Sequence, residues 1–233
     1  MYLDLSKRVR EYSEEMEGED EARNYFKSHI LRHGKHDSSY DLVCKDLFSK
    51  IKIKKGNVLD VGCGYGGLIK QINTYIPDSY FVGVDLSKSM LEIGKKYLKG
   101  LNCRLIHVPA HKIPFKKETF DLTVCNDTFH HFNSPIAVLK ELLRVTKKNG
   151  FIYIIDLNRS VNENLIHRIS QKLSEANLVN ATQYFDSVRA SFTVKEMREI
   201  INKSGSSNFK IVKGKPKNHE YMSGHWIAVI RKS

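Results

Sequence analysis

Val58-Leu59-Asp60-Val61-Gly62-Cys63-Gly64-Tyr65-Gly66-Gly67 runs from apolar residues into a cluster of glycines, and an amphipathic segment, Leu68 to Ile76, follows at once. This order predicts a buried strand, a tight turn and a helix start. Glycines in such a turn let the backbone take positive φ and let a ligand approach the chain closely. The exposed N–H groups at the helix start favour polar or anionic ligand groups.

Two cofactors compete for the turn. Gly62-x-Gly64-x-x-Gly67 also reads as a dinucleotide fingerprint, with Asp85 about where that fingerprint places its ribose acid. Asp60 shifts the balance. A carboxylate at the strand end, just before the glycines, repels a pyrophosphate and suits a ligand with positive charge. S-adenosylmethionine carries both a sulfonium and an ammonium, and opposite charges a few Å apart at a partly buried site attract by several kcal/mol in gross terms.

Asp60-Val61-Gly62-Cys63-Gly64-Tyr65-Gly66 resembles motif I of the class I S-adenosylmethionine-dependent methyltransferases. Phe81-Val82-Gly83-Val84-Asp85-Leu86-Ser87 resembles the family's second strand, which ends in a ribose-binding acid. Ile113-Pro114-Phe115 and Phe120-Asp121-Leu122-Thr123-Val124-Cys125-Asn126 resemble its third motif and fourth strand. His130-His131-Phe132, Leu139 to Val145 and Asn149-Gly150-Phe151 resemble the helix and fifth strand that follow. The likeness spans roughly residues 55 to 157, and four motifs in order are more specific than any one.

The resemblance implies a Rossmann-like α/β fold. Its sheet has seven strands, mostly parallel, with helices on both faces and the last strand antiparallel. It implies S-adenosyl-L-methionine as cofactor. The reading divides the chain into an N-terminal helical cap, residues 1–55, and a methyltransferase domain, residues 56–233. Strands alternating with helices from Val58 onward argue independently for a parallel sheet. Asp37 or Ser38 can cap a helix whose apolar side is Leu42, Val43, Leu47, Phe48 and Ile51. Ser134-Pro135 starts another, which Lys147-Lys148 and Asn149-Gly150 are expected to end. Thr193-Val194-Lys195-Glu196 reads as a capping box. Phe209 to Lys213 and His225 to Arg231 read as the two final strands.

Open parallel sheets bind ligands beyond the carboxyl ends of their strands. The expected cofactor-binding residues follow: Asp60, Gly62, Cys63, Gly64 and Gly66 after strand one, and Asp85, Leu86 and Met90 after strand two. Ala110 and His111 follow strand three; Asn126 and Asp127 follow strand four. Asp85 alternatively acts as a helix N-terminal acid beside Ser87, and Asp60 alternatively ties down the turn. Many relatives place an acid just before the position of Ala110, where it meets the adenine amino group; Pro109 here offers neither carboxylate nor N–H.

A sulfonium methyl is already activated, so the protein must mainly position a nucleophile in line and exclude water. His130 and His131, just beyond strand four, are the candidate bases; the alternative is that the pair belongs to the fold. Tyr65 is a candidate for orienting substrate. Arg159 and Arg189 can clamp an acidic group bidentately or serve as structural ion-pair partners. Tyr25 and Tyr40 are candidate lid residues. His29, His33 and His36 share a helix face, but Gly34 interrupts it and nothing completes a ligand set, so no metal is expected.

The chain has 233 residues and a net charge of +12. Its lysines are scattered, which makes a nucleic-acid partner less expected than a solvated surface. Asn126-Asp127-Thr128-Phe129 lacks the prolines of the Asn/Asp-Pro-Pro-Tyr signature for base amino groups, and no Pro-Cys nucleophile is present. No apolar run reaches bilayer-spanning length, and residues 1–7 lack the apolar stretch of a signal peptide. Cys44, Cys63, Cys103 and Cys125 read as reduced thiols of a cytoplasmic protein. The expectation is in-line methyl transfer to a small-molecule acceptor. A nicotinamide-dependent oxidoreductase, a nucleic-acid methyltransferase and a binding module without catalysis are the alternatives.

Overall fold

The structure, a computed structural model, describes residues 5–10, 18–33, 38–175, 181–214 and 220–233. Two helices, α1 (Glu19–His33) and α2 (Ser38–Lys50), precede the first strand. The alternating part then runs β1 (Asn57–Val61), α3 (Gly67–Tyr75), β2 (Tyr80–Asp85), α4 (Lys88–Tyr97), β3 (Cys103–His107) and β4 (Phe120–Asn126). A short 3-10 turn at Phe129–His131 leads to α5 (Pro135–Val145) and β5 (Thr146–Leu157). The chain closes with α6 (Glu163–Glu175), α7 (Ala181–Ala190), α8 (Val194–Lys203), β6 (Phe209–Lys213), α9 (Glu220–Ser223) and β7 (His225–Arg231).

The strands form one seven-stranded sheet in the order β3-β2-β1-β4-β5-β7-β6. β3, β2, β1, β4 and β5 are mutually parallel, and β7 is antiparallel to both β5 and β6. This is the Rossmann-like arrangement expected. Because both faces are covered, the central strands read as near-continuous apolar runs rather than alternating ones. One face packs Leu59, Val82, Leu139, Leu142, Ile152, Met197 and Trp226 beneath α5 and α8. The other packs Val58, Phe81, Leu122 and Tyr153 beneath α2 and α3, through Val43, Leu47, Ile51, Ile69 and Ile72.

Strand order reverses direction between β1 and β4, which opens the crevice where such sheets take ligands. α1 crosses this end: Ala22 is fully buried with Tyr65 and Met90, and Tyr25, Phe26, Tyr40 and Tyr97 pack around them.

Two local readings change, and a third holds. Residues 5–10 are not helical. They run as a strap in which Val9 N–H donates to the Arg189 carbonyl, and Arg8 donates to the carbonyls of Ala190 (2.6 Å) and His130 (2.7 Å). α5 ends at Val145, before the expected Lys147-Lys148. Thr146 instead pairs with Phe120 and its hydroxyl meets Thr123 Oγ1 at 2.8 Å, while Lys147 salt-bridges Asp121. Asn149 then turns the strand with φ 60°. The capping box of α8 is present in both directions, Thr193 Oγ1 accepting from Glu196 N–H and Glu196 from Thr193 N–H.

No helix among the described residues is long and apolar enough to cross a membrane. Asp37, His36 and the side chains of His29, His33 and Ser38 lie outside the described part. Among the described residues no group of three or more His, Cys, Asp or Glu is arranged to hold a metal ion.

Candidate active site

The glycine bend is built where β1 ends. Gly62 and Gly64 take φ 71° and 52°, left-handed values that a side chain disfavours. A Cβ on Gly62 would overlap the methyl of Thr128, so the bend and the residue two beyond β4 are in close contact. The N–H groups of Gly62 and Cys63 donate to the Val84 carbonyl at 2.8 and 3.1 Å, fastening the bend to β2.

Asp85, the last residue of β2, completes the fastening. Its Oδ2 accepts from Gly64 N–H at 2.7 Å and its Oδ1 from Ser87 N–H at 2.8 Å. Burial pushes this carboxyl up, against the opposing pull of the Ser87 and Gly64 N–H groups. Each carboxylate oxygen has a second lone-pair direction. The side chain can therefore act both as turn anchor and as acceptor for a ligand's hydroxyls. Ser87 caps α4 by accepting from Met90 N–H.

Asp60 is 2% exposed, and its Oδ2 has no hydrogen-bond partner among the described residues. Burial, and then the charge of Asp85, push its carboxyl up to about 8. A buried polar atom without a partner is costly and uncommon. This oxygen lies at the strand end that meets the ligand crevice, and a cation placed there would satisfy it. A pyrophosphate would not. The donor set thus fits a positively charged adenosyl ligand and disfavours a dinucleotide.

The remaining expected residues are dispersed around the same strand ends. Cys63 is 7% exposed and Met90 5%, both packed beside the bend. Leu86 is 37% exposed, an apolar surface beside Asp85. Ala110 is half-buried and His111 exposed. The residue that sequence reasoning missed here is His107, the last of β3. It sits opposite Asp85, and its Nε2 lies 2.8 Å from the Leu86 carbonyl. Asn126 is half-buried and its Oδ1 has no partner among the described residues. Asp127 follows with φ 48° and pairs through Oδ1 with His225 Nε2 at 2.8 Å.

The expected bases and substrate groups fare differently. His130 is 3% exposed. Its backbone N–H donates to Asp156 Oδ2 at 2.8 Å, its Nδ1 lies 2.6 Å from Asp156 Oδ1, and its carbonyl takes the Arg8 bond. It is the buried middle residue of the 3-10 turn, which corrects its reading as a base presented to substrate. His131 is half-buried, and burial followed by the neighbouring His130 push its imidazole down to about 3. It is neutral and weakly basic at physiological pH. Tyr65 is 1% exposed and stacks edge-on against Phe26 and Tyr97, so it packs rather than faces substrate. Arg159 is 3% exposed and is spent on the fold: it pairs with Glu196 and donates to the carbonyls of Ser191 (3.1 Å) and Leu5 (2.8 Å). Its expected clamp on an acidic substrate is therefore replaced by a structural role. Arg189 reaches Asp186 at 3.7 Å.

Residues 59–154 match a family model described as a methyltransferase domain. A malonyl-[acyl-carrier protein] O-methyltransferase of Legionella pneumophila is 33% identical over 135 residues, covering 53% of this chain and 47% of that protein. The chain spans about half the length of the curated relatives it matches. Among solved structures, an Aquifex aeolicus S-adenosylmethionine-dependent methyltransferase superposes with TM-score 0.61 at 18% identity, over 82% of this chain and 89% of that one. The plantazolicin methyltransferase BpumL, solved with S-adenosylhomocysteine, superposes with TM-score 0.65 at 19% identity, over 91% and 90%.

Proposed function

We propose that this chain, whose residues 59–154 match a methyltransferase-domain family model, transfers a methyl group from S-adenosylmethionine to a small-molecule acceptor. The observation that carries the reading is the partnerless, buried Asp60 Oδ2 at the mouth of the glycine bend. When bound, S-adenosylmethionine supplies a methyl that its sulfonium already activates. In this reading Asp60 attracts the cationic methionine part, the side-chain-free glycine bend lets it approach closely, and Asp85 accepts the ribose hydroxyls. Leu86 offers the adenine an apolar wall, Ala110 and His111 border its edge, and His107 fixes the loop that carries Leu86. Asn126 and Asp127 border the reacting end. The acceptor's nature rests on analogy with relatives.

Residues 1–55 act in this reading as a cap, through α1 and the packing of Tyr25 and Tyr40 beside Tyr65 and Met90. Loss of one packed aromatic ring is expected to weaken S-adenosylhomocysteine binding about two- to tenfold in Tyr25→Ala. An unchanged Kd by calorimetry removes the cap from the account.

Thermal stability in the presence of S-adenosylmethionine, S-adenosylhomocysteine and NAD separates the readings. A ligand specific to the native state at a hundredfold its Kd adds about 2.7 kcal/mol. Stabilisation by the two adenosyl ligands and none by NAD is expected. Stabilisation by NAD alone would transfer the chain to the oxidoreductases.

A further inference from the structure

Asp127 is gripped from a distant part of the chain. It follows β4 directly, holds φ 48°, and donates its N–H to the Ile155 carbonyl at 3.0 Å. Aspartate takes this backbone region more readily than most residues, and the bond to Ile155 fastens it. His225 fixes the side chain. It opens β7, is 2% exposed, and its Nε2 lies 2.8 Å from Asp127 Oδ1. Asn126 Nδ2 reaches the other oxygen at 3.5 Å. Despite these contacts the Asp127 side chain is 31% exposed. The next residue, Thr128, bonds the Gly62 carbonyl at 3.2 Å and lies against the Gly62 α-carbon. A rigid, solvent-facing carboxylate therefore stands beside the proposed cofactor bend, one residue from contact with it.

We infer that Asp127, held in place by His225, recognises a cationic nitrogen on the methyl acceptor. A carboxylate offers only acceptor sites, so it selects a donor, and a charged donor most strongly. Two of the guanidinium groups nearest the strap are committed to the fold: Arg159 to Glu196 and two carbonyls, Arg8 to the carbonyls of Ala190 and His130. In a chain of net charge +12, a solvent-facing carboxylate is a local exception that attracts a cation. The inference rests on the methyltransferase reading. Asp127 touches the acceptor; His225 is a positioning residue.

The test uses the full chain, methyl-labelled S-adenosylmethionine and a small-molecule extract divided into cation-exchange-retained, anion-exchange-retained and unretained fractions. Label is expected in the cation-retained fraction. For the acceptor found there, Asp127→Asn should raise KM at least about tenfold. His225→Gln should raise KM with kcat nearly unchanged and with S-adenosylhomocysteine affinity kept within about twofold. Label confined to the other fractions, or absent from all three while S-adenosylhomocysteine still binds, overturns the inference. So does an Asp127→Asn variant with wild-type KM; an unmoved KM in His225→Gln overturns the positioning role. Absence of S-adenosylhomocysteine binding overturns the parent reading, and this inference with it.

Discussion

Asp60→Asn is expected to weaken S-adenosylmethionine binding by about 2–5 kcal/mol, roughly 30- to 4,000-fold in Kd, the usual consequence of removing one member of a buried charge pair. Asparagine keeps the shape and loses the charge. The same substitution has a distinct signature without ligand. Burial and the neighbouring Asp85 push Asp60 up to about 8, against about 4 for an exposed aspartate. Between those values the folded protein holds a proton that the unfolded chain has released. Wild-type stability from this group is thus full below about pH 4, falls as pH rises toward 8, and is level above it. Asparagine does not titrate, so the variant's stability relative to wild type should rise over that interval. Urea denaturation at pH 6 and pH 8 measures this directly. A variant that loses stability relative to wild type between pH 6 and pH 8 would contradict the burial account. Comparing S-adenosylmethionine with S-adenosylhomocysteine adds a second distinction. Equal weakening of both assigns Asp60 to the ammonium, and selective weakening of the former assigns it to the sulfonium.

Asp156→Ala is expected to cost about 3–5 kcal/mol of stability, a large share of what a domain possesses. Asp156 is fully buried and accepts from the backbone N–H of His130, with its other oxygen against the imidazole. Alanine leaves the His130 N–H and imidazole, and the Leu157 N–H that also donates to Asp156 at 2.7 Å, without that carboxylate. Asp156→Asn keeps one carbonyl oxygen and should cost less. If Asp156→Ala unfolds in urea at the wild-type midpoint, His130 is not the anchor that the geometry makes it. The prediction matters for chemistry as well. An imidazole required by the fold shows a large loss on substitution in any activity assay, and stability must be measured beside turnover before a base is assigned.

What could be read in the sequence was local. The bend after β1 was legible because apolar residues, glycines and an amphipathic segment stand in unbroken order, and the Asp85 turn because Ser87 and Met90 lie at capping spacing. The capping box of α8 was legible for the same reason. Periodicity failed where distant partners decide. α5 stops at Val145 because Thr146 and Lys147 are claimed by Thr123 and Asp121 of β4, which no helix signal encodes. Arg159 looked available because its partners, Glu196, Ser191 and Leu5, lie 32 to 154 residues away. Nothing local marks His225, because its partner Asp127 is 98 residues distant. The proposed cofactor contacts thus lie in short motifs, whereas the proposed acceptor contact joins the end of β4 to the start of β7.

The central claim is that the bend between β1 and α3 holds a cationic adenosyl ligand against Asp60. Titration calorimetry of the wild-type chain with S-adenosylmethionine at pH 7, in two buffers of different ionisation enthalpy, tests it most directly. Saturable binding accompanied by release of a fraction of a proton is predicted, because Asp60 is largely protonated when alone and must ionise to meet the cation. Absence of binding, or binding with uptake of a proton, would contradict the account.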